Sequence, residues 1–201
     1  MIEKNKFLSI KEKYGKVCSF AIWKRDVEKT TKPTIQSWDM SSFVNPDLSL
    51  FKTNVVILGL NVSKQLVSMD PNYNDAAFVN FHSGACDYRL MKALFQLPDY
   101  YGSYMTDIYK YFTNKSAKEV IDYFEANPKE EEKQFNAFEE EINFVCGPEK
   151  PLFILCGNDV KKAFSRFNNN NKYNSIIIPH YSSNGGVTKK IIEILCDKKG
   201  C

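Results

Sequence analysis

Val55-Val56-Ile57-Leu58-Gly59-Leu60 is an unbroken apolar run that ends on Asn61-Val62-Ser63. A short apolar run without alternation predicts a strand buried on both faces, as in a parallel sheet. Three further runs are built the same way. Tyr104-Met105-Thr106 ends on Asp107, and Leu152-Phe153-Ile154-Leu155 ends on Cys156-Gly157-Asn158. Ser175-Ile176-Ile177-Ile178 ends on Pro179-His180-Tyr181-Ser182-Ser183. In open parallel sheets ligands bind beyond the carboxyl ends of the strands. Polar residues far apart in sequence therefore converge on one site.

Helical patterns separate these strands. Leu90, Met91, Leu94 and Phe95 recur at helical spacing within Cys86 to Gln96. Ser116 with Glu119 makes a capping box before Val120, Ile121 and Phe124. Phe135, Phe138, Ile142 and Val145 mark the next helix, and Asn158 or Asp159 is expected to cap one carrying Val160, Phe164 and Phe167. Thr188 to Cys196 closes the chain as a helix with Ile191, Ile192 and Leu195 inward. The order βαβαβαβα predicts an α/β protein, a three-layer α/β/α sandwich around a four-stranded, mostly parallel sheet.

Outside this unit, Ile2 to Tyr14 predicts a short helix, Val17 to Trp23 an extra strand at an edge, and Thr30 to Asp47 a loop. The expectation is a single domain over 1–201, with 1–50 packed on it as an N-terminal extension. Ser63 to Ser83, with Pro71 and several Asn and Asp, is too long for an ordinary βα connection. Such loops in compact domains are usually functional or disordered.

With 43% hydrophobic and 14% aromatic residues in 201, one domain can bury a real core. No stretch approaches the roughly 18 apolar residues of a membrane span. The charged start Met1 to Lys6 lacks the apolar core of a signal peptide. A cytoplasmic protein without a membrane partner is expected. None of the six cysteines forms a Cys-x-x-Cys pair or stands at finger-like spacing from a histidine. No metal and no cofactor are predicted. Lys118 to Glu141 holds nine acidic and three basic residues, which leaves +9 on the rest of a chain of net charge +3. A basic remainder fits a polyanion such as DNA, or simply a solvated surface.

Several chemistries are excluded. The chain has no G-x-x-x-x-G-K-[ST] and no G-x-G-x-x-G, hence no phosphate-cradling loop of either kind. It has no G-x-S-x-G nucleophile elbow. Its only histidines, His82 and His180, both fall near predicted strand ends. His82 reads equally as a structural residue, while His180, directly after Ile-Ile-Ile-Pro, reads as functional.

These residues resemble the motifs of the uracil-DNA glycosylase superfamily. Gly59-Leu60-Asn61-Val62-Ser63 is similar to the Gly-x-Asn-Pro-Gly motif of its mismatch-specific and single-strand-selective branches. Pro179-His180-Tyr181-Ser182-Ser183 resembles the second motif, His-Pro-Ser-x. Tyr104-Met105-Thr106-Asp107-Ile108-Tyr109-Lys110 looks like the Tyr-Ile-Thr-Asn-Val-Val-Lys strand of the thermostable branch, and Leu152 to Gly157 like the hydrophobic strand before the penultimate helix. The likeness runs from about Asn54 to the C-terminus.

The resemblance implies a monomeric, monofunctional DNA glycosylase that hydrolyses the N-glycosidic bond of a flipped base. The alternative is a catalytically inactive relative that binds DNA or a nucleotide through the same pocket. A third possibility is cleavage of a free nucleoside or nucleotide. By resemblance Asn61 orients the water and His180 stabilises the leaving base. Gly59, Leu60 and Asp107 contact that base, and Phe78 or Phe81 stacks on it. Ser63, Lys64, Tyr181, Ser182 and Ser183 meet the DNA, with Lys110, Lys189 and Lys190 as further phosphate contacts.

Three departures from the family pattern carry expectations. Val62 and Tyr181 stand where proline is usual, which leaves those loops less stiff. Tyr181 is then free to wedge into the base stack or to stack on a base. The thermostable branch's four cluster cysteines are absent. Asp107 stands where uracil readers have Asn. An ionised carboxylate only accepts hydrogen bonds, so an edge rich in donors, or an exocyclic amine, suits it better than uracil does. The alternative is that Asp107 turns away and pairs with a lysine.

Overall fold

The computed structural model describes residues 2–23, 40–62, 77–82, 86–110, 112, 116–183 and 185–198. Its elements are α1 (Lys4–Tyr14), β1 (Cys18–Phe20), α2 (Ser41–Val44), β2 (Lys52–Asn61), α3 (Asp87–Phe95), β3 (Ser103–Tyr109) and α4 (Ala117–Ala126). They continue as α5 (Pro128–Cys146), β4 (Leu152–Cys156), α6 (Asn158–Phe167), β5 (Ser175–Ile178) and α7 (Val187–Asp197). The five strands form one sheet in the order β1-β3-β2-β4-β5. The strands from β2 onward run parallel, whereas β1 pairs antiparallel with β3, Cys18 opposite Thr106. This corrects the expected count of four. The stretch from Val17 contributes a real, three-residue strand because Cys18, Ser19 and Phe20 are all fully buried against β3.

Strand alternation divides the core in two. Val56, Leu58, Leu60, Tyr104, Phe153 and Leu155 pack with α1, α4, α5 and α6. Val55, Ile57, Met105, Ile154, Ile176 and Ile178 pack with α3 and α7. Helices thus flank both faces, which explains why the central strands are apolar without alternation. The acidic run forms α4 and α5. Ser116 does cap α4, its hydroxyl accepting from the Glu119 N–H at 3.3 Å, and Pro128 opens α5, where its missing N–H costs nothing. The cap of α6 is a correction: Gly157, not Asn158 or Asp159, occupies it, with φ of 101°. Among the described residues no helix is long and apolar enough to cross a membrane.

Of the predicted loops, residues 30–39, 63–76 and 83 lie outside the described residues, Ser63 and Lys64 among them, and Ser41–Val44 of the first forms α2 rather than loop.

Candidate active site

A cleft of about 830 Å³ opens where β2, β4 and β5 end. Gly59, Leu60 and Asn61 line it from β2, and Asp107 from β3. Cys156, Gly157, Asn158 and Asp159 line it from the β4–α6 junction, and Pro179 to Ser183 from the segment after β5. The polar signatures that close the four runs therefore do meet.

The Asn61 amide donates to the carbonyls of Val62 and Phe112, both at 3.2 Å. These bonds fix which end of the amide is the donor. His180 is oriented by its own loop. The Ser182 N–H donates to its Nδ1 at 3.2 Å, and the Ser182 hydroxyl lies 2.6 Å from the same atom. An N–H can only donate, so Nδ1 is an acceptor and the ring hydrogen of neutral His180 sits on Nε2. Burial lowers the His180 pKa and keeps the ring neutral, while Asp159 opposes this weakly. Tyr181 stacks on the imidazole with centroids 4.5 Å apart. Arg89 of α3 holds the loop from outside, donating to the carbonyls of Ser183 at 2.7 Å and Tyr181 at 3.4 Å. Behind it, a Cβ on Gly157 would stand 3.1 Å from the His180 Cβ, at a φ that side chains rarely adopt.

Asp107 is buried, and it does not turn away to a lysine. Its Oδ2 accepts from the Asn80 Nδ2 at 2.8 Å. Lys110 bonds the Asp107 backbone carbonyl at 2.7 Å instead. Burial raises the Asp107 carboxyl to about 6, against the Asn80 bond and the Lys110 charge, which lower it. The folded state thus holds a proton that the unfolded chain releases near 3.8. The stabilisation is complete below that value and is lost as pH rises through about 6.

Gly59 exists for Asp107 and Phe81. A Cβ there would meet Asp107 Oδ1 at 2.2 Å and the Phe81 ring edge at 3.1 Å. Gly59→Ala is expected to destabilise the protein by about 1–3 kcal/mol through overpacking. Thermal unfolding against wild type measures this, and an unchanged Tm would mean that the carboxylate and ring move aside freely.

Neither proposed stacking residue lines the cleft: Phe81 is buried behind Gly59, its ring edge against that residue, and Phe78 is fully buried among Phe7, Phe20 and Phe43. Both have positive φ, 68° for Phe78 and 67° for Phe81. Such strain in bulky residues persists only where surroundings enforce it. Here Asn80, Ser19 and His82 do so. Ser19 donates to the Phe78 carbonyl at 2.9 Å, and the His82 Nε2 lies 2.7 Å from the Ser19 hydroxyl and 3.1 Å from the Phe20 carbonyl. His82 is therefore the structural reading of the two, a tie between this turn and β1.

Lys110 is a correction. It is buried and ion-paired with the fully buried Glu141, so it cannot reach a phosphate. Lys189 and Lys190 are exposed on α7, Lys189 lying 3.7 Å from Glu193. Ser182 and Ser183 are exposed at the rim. Asn80 and Arg89 escaped the sequence reading because their partners lie 27 and more than 90 residues away. Among the described residues no group of three or more His, Cys, Asp or Glu could hold a metal ion. Cys156 lies in the cleft, but burial pushes its thiol up to about 12, away from nucleophilic chemistry.

No protein-family model, no curated protein and no solved structure matches this chain.

Proposed function

We propose that the cleft hydrolyses the N-glycosidic bond of a base flipped out of DNA, in the manner of the uracil-DNA glycosylase superfamily. The observation that carries this reading is the neutral His180, whose ring hydrogen is fixed on Nε2, in the same cleft as Asn61 and Asp107. Helices against both faces of the sheet support the three-layer sandwich of that superfamily.

The chemistry follows from these groups. The bond between the sugar C1′ and the base nitrogen breaks with its electron pair leaving on the base. A neutral imidazole N–H stabilises that developing anion without first surrendering a proton to bulk water. Asn61 orients the water whose oxygen bonds C1′. The water leaves a hydroxyl on the sugar and a proton for the base. The base enters the cleft edge-on to Asp107, over Gly59, with the Phe81 ring buried behind that glycine. As a buried acceptor, Asp107 favours a base carrying an exocyclic amine over uracil at neutral pH. DNA is the partner and the protein acts as a cytoplasmic monomer.

The test is abasic-site formation on single- and double-stranded oligonucleotides carrying uracil, cytosine, hypoxanthine, xanthine, thymine mismatches and alkylated bases. Cleavage of at least one, falling about 10²- to 10³-fold in His180→Ala with thermal stability intact, is expected. Loss of stability with normal specific activity would make His180 structural. Salt-sensitive DNA binding without cleavage would instead favour the inactive relative, a reading that Val62 and Tyr181 in place of the motif prolines support. Cleavage of free nucleosides with no gain on oligonucleotides would remove DNA from the proposal.

A further inference from the structure

We propose that Asn80 sets which base the cleft accepts: by donating to Oδ2 of Asp107 it leaves Oδ1 as the one carboxyl atom that reads the base. This rests on the reading of the cleft as a base pocket, and it concerns a residue outside that pocket's lining.

The Asn80 amide has a single possible orientation. Its Oδ1 accepts from the Phe81 N–H at 3.1 Å, and an N–H cannot accept. Its Nδ2 donates to the Val17 carbonyl at 2.9 Å, and a carbonyl cannot donate. The group facing Asp107 is therefore the NH₂, and Oδ2 is always an acceptor. Oδ1 of Asp107 lies over Gly59 at the cleft floor, and among the described residues it has no hydrogen-bond partner. A proton that Asp107 takes up is then favoured on Oδ1, because the carbonyl oxygen of an acid is a better acceptor for the Asn80 NH₂ than its hydroxyl oxygen. As a carboxylate, Oδ1 accepts from an exocyclic amine. As an acid, it donates to an exocyclic carbonyl.

Of the other titratable groups around Asp107, two stay neutral and one is linked to it. Cys156 on β4 and Tyr181 after β5 are both raised by burial, Cys156 to about 12, and stay neutral. Burial lowers the Lys110 ammonium to about 7 against the attraction of the Asp107 charge, so the charges of Lys110 and Asp107 depend on each other, while Glu141 lies against the ammonium on its other side. Asp107 itself changes state near 6.

Single-stranded oligonucleotides carrying either deoxycytidine or deoxyuridine present an amine or a carbonyl at the same ring position. The ratio of their excision rates, followed from pH 5 to 8, cancels the titration of His180, which acts on both. The wild-type ratio is expected to swing toward the amine by about tenfold or more as pH rises, the discrimination of one hydrogen bond to a buried charge. Asn80→Ala is expected to flatten that swing, because either oxygen can then carry the proton. Asp107→Asn, with Asn80 in place, must turn its oxygen to Asn80 and its NH₂ to the cleft. It is expected to prefer the carbonyl at every pH, which also serves should Asn80→Ala fail to fold. An unchanged swing in Asn80→Ala, a flat wild-type ratio, or an amine preference in Asp107→Asn would overturn the proposal while excision itself persists.

Free cytosine and uracil, followed through the ¹³C signal of the Asp107 carboxyl, separate the two ideas if no oligonucleotide is cut. The same pH-dependent preference without cleavage keeps Asn80 as the selector and rejects the glycosylase reading. No binding of either base rejects both.

Discussion

Asn61→Ala is expected to slow base excision by about 10²- to 10⁴-fold, the range lost with a positioned water-activating group, while DNA affinity stays within about twofold. Asn61 is the last residue of β2, paired in register with Tyr109 of β3. Its amide is held by backbone carbonyls of Val62 and Phe112 rather than by a mobile side chain. Positioning of that kind is worth much to a reaction and little to ground-state affinity, because the water gains its value only as it approaches C1′. Single-turnover excision and equilibrium binding to the same oligonucleotide separate the two effects. Losing the two Asn61 donor bonds frees carbonyls near the cleft, where water can replace them, so a small fall in Tm is the structural side effect. Unchanged turnover would take Asn61 out of the mechanism. Equal losses in rate and affinity would make it a binding residue.

Much of this architecture is legible in the chain because it rests on local pattern. The four runs become β2 to β5, and the capping box at Ser116 starts α4 where expected. Their C-terminal signatures converge because parallel topology leaves them no other end of the sheet. What pattern cannot reach are contacts made at a distance by single polar atoms. Asn80 sits in a turn between two phenylalanines, and nothing local says that its amide serves Asp107. Lys110 reads as a surface lysine because charged residues are seldom buried unless paired. Its partner Glu141 lies in the acidic run 31 residues further on, and no local pattern joins the two. The three-residue β1 reads as an edge at most, yet it supplies Ser19, the Phe20 carbonyl and the Val17-side anchor that fix the strained turn beneath the cleft.

Breaking the Lys110–Glu141 pair carries the largest expected loss of stability. Glu141 is fully buried on α5 and accepts from the Tyr104 hydroxyl at 2.5 Å and the Thr106 hydroxyl at 2.8 Å, besides its ion pair with Lys110. Lys110 in turn donates to Thr106 at 2.9 Å and to the Asp107 carbonyl at 2.7 Å, with its ammonium 4.9 Å from the Phe138 ring centroid. Removing one partner strands a charge in the core, so Lys110→Met or Glu141→Leu is expected to cost about 3–5 kcal/mol in denaturant unfolding. The double replacement removes both charges and should recover part of that loss. Recovery is incomplete because the Tyr104 and Thr106 hydroxyls then lack their acceptor, at about 1–3 kcal/mol for each group left unsatisfied. Additive losses in the double variant would mean that the two side chains act independently, against the geometry. The same network holds the backbone on either side of the base-reading carboxyl, through Thr106 and the Asp107 carbonyl. Lys110→Met should therefore also blunt discrimination between amine- and carbonyl-bearing bases, at temperatures where the variant remains folded. Full discrimination in a folded but weakened Lys110→Met would confine the pair to stability and leave the placement of Asp107 to Asn80.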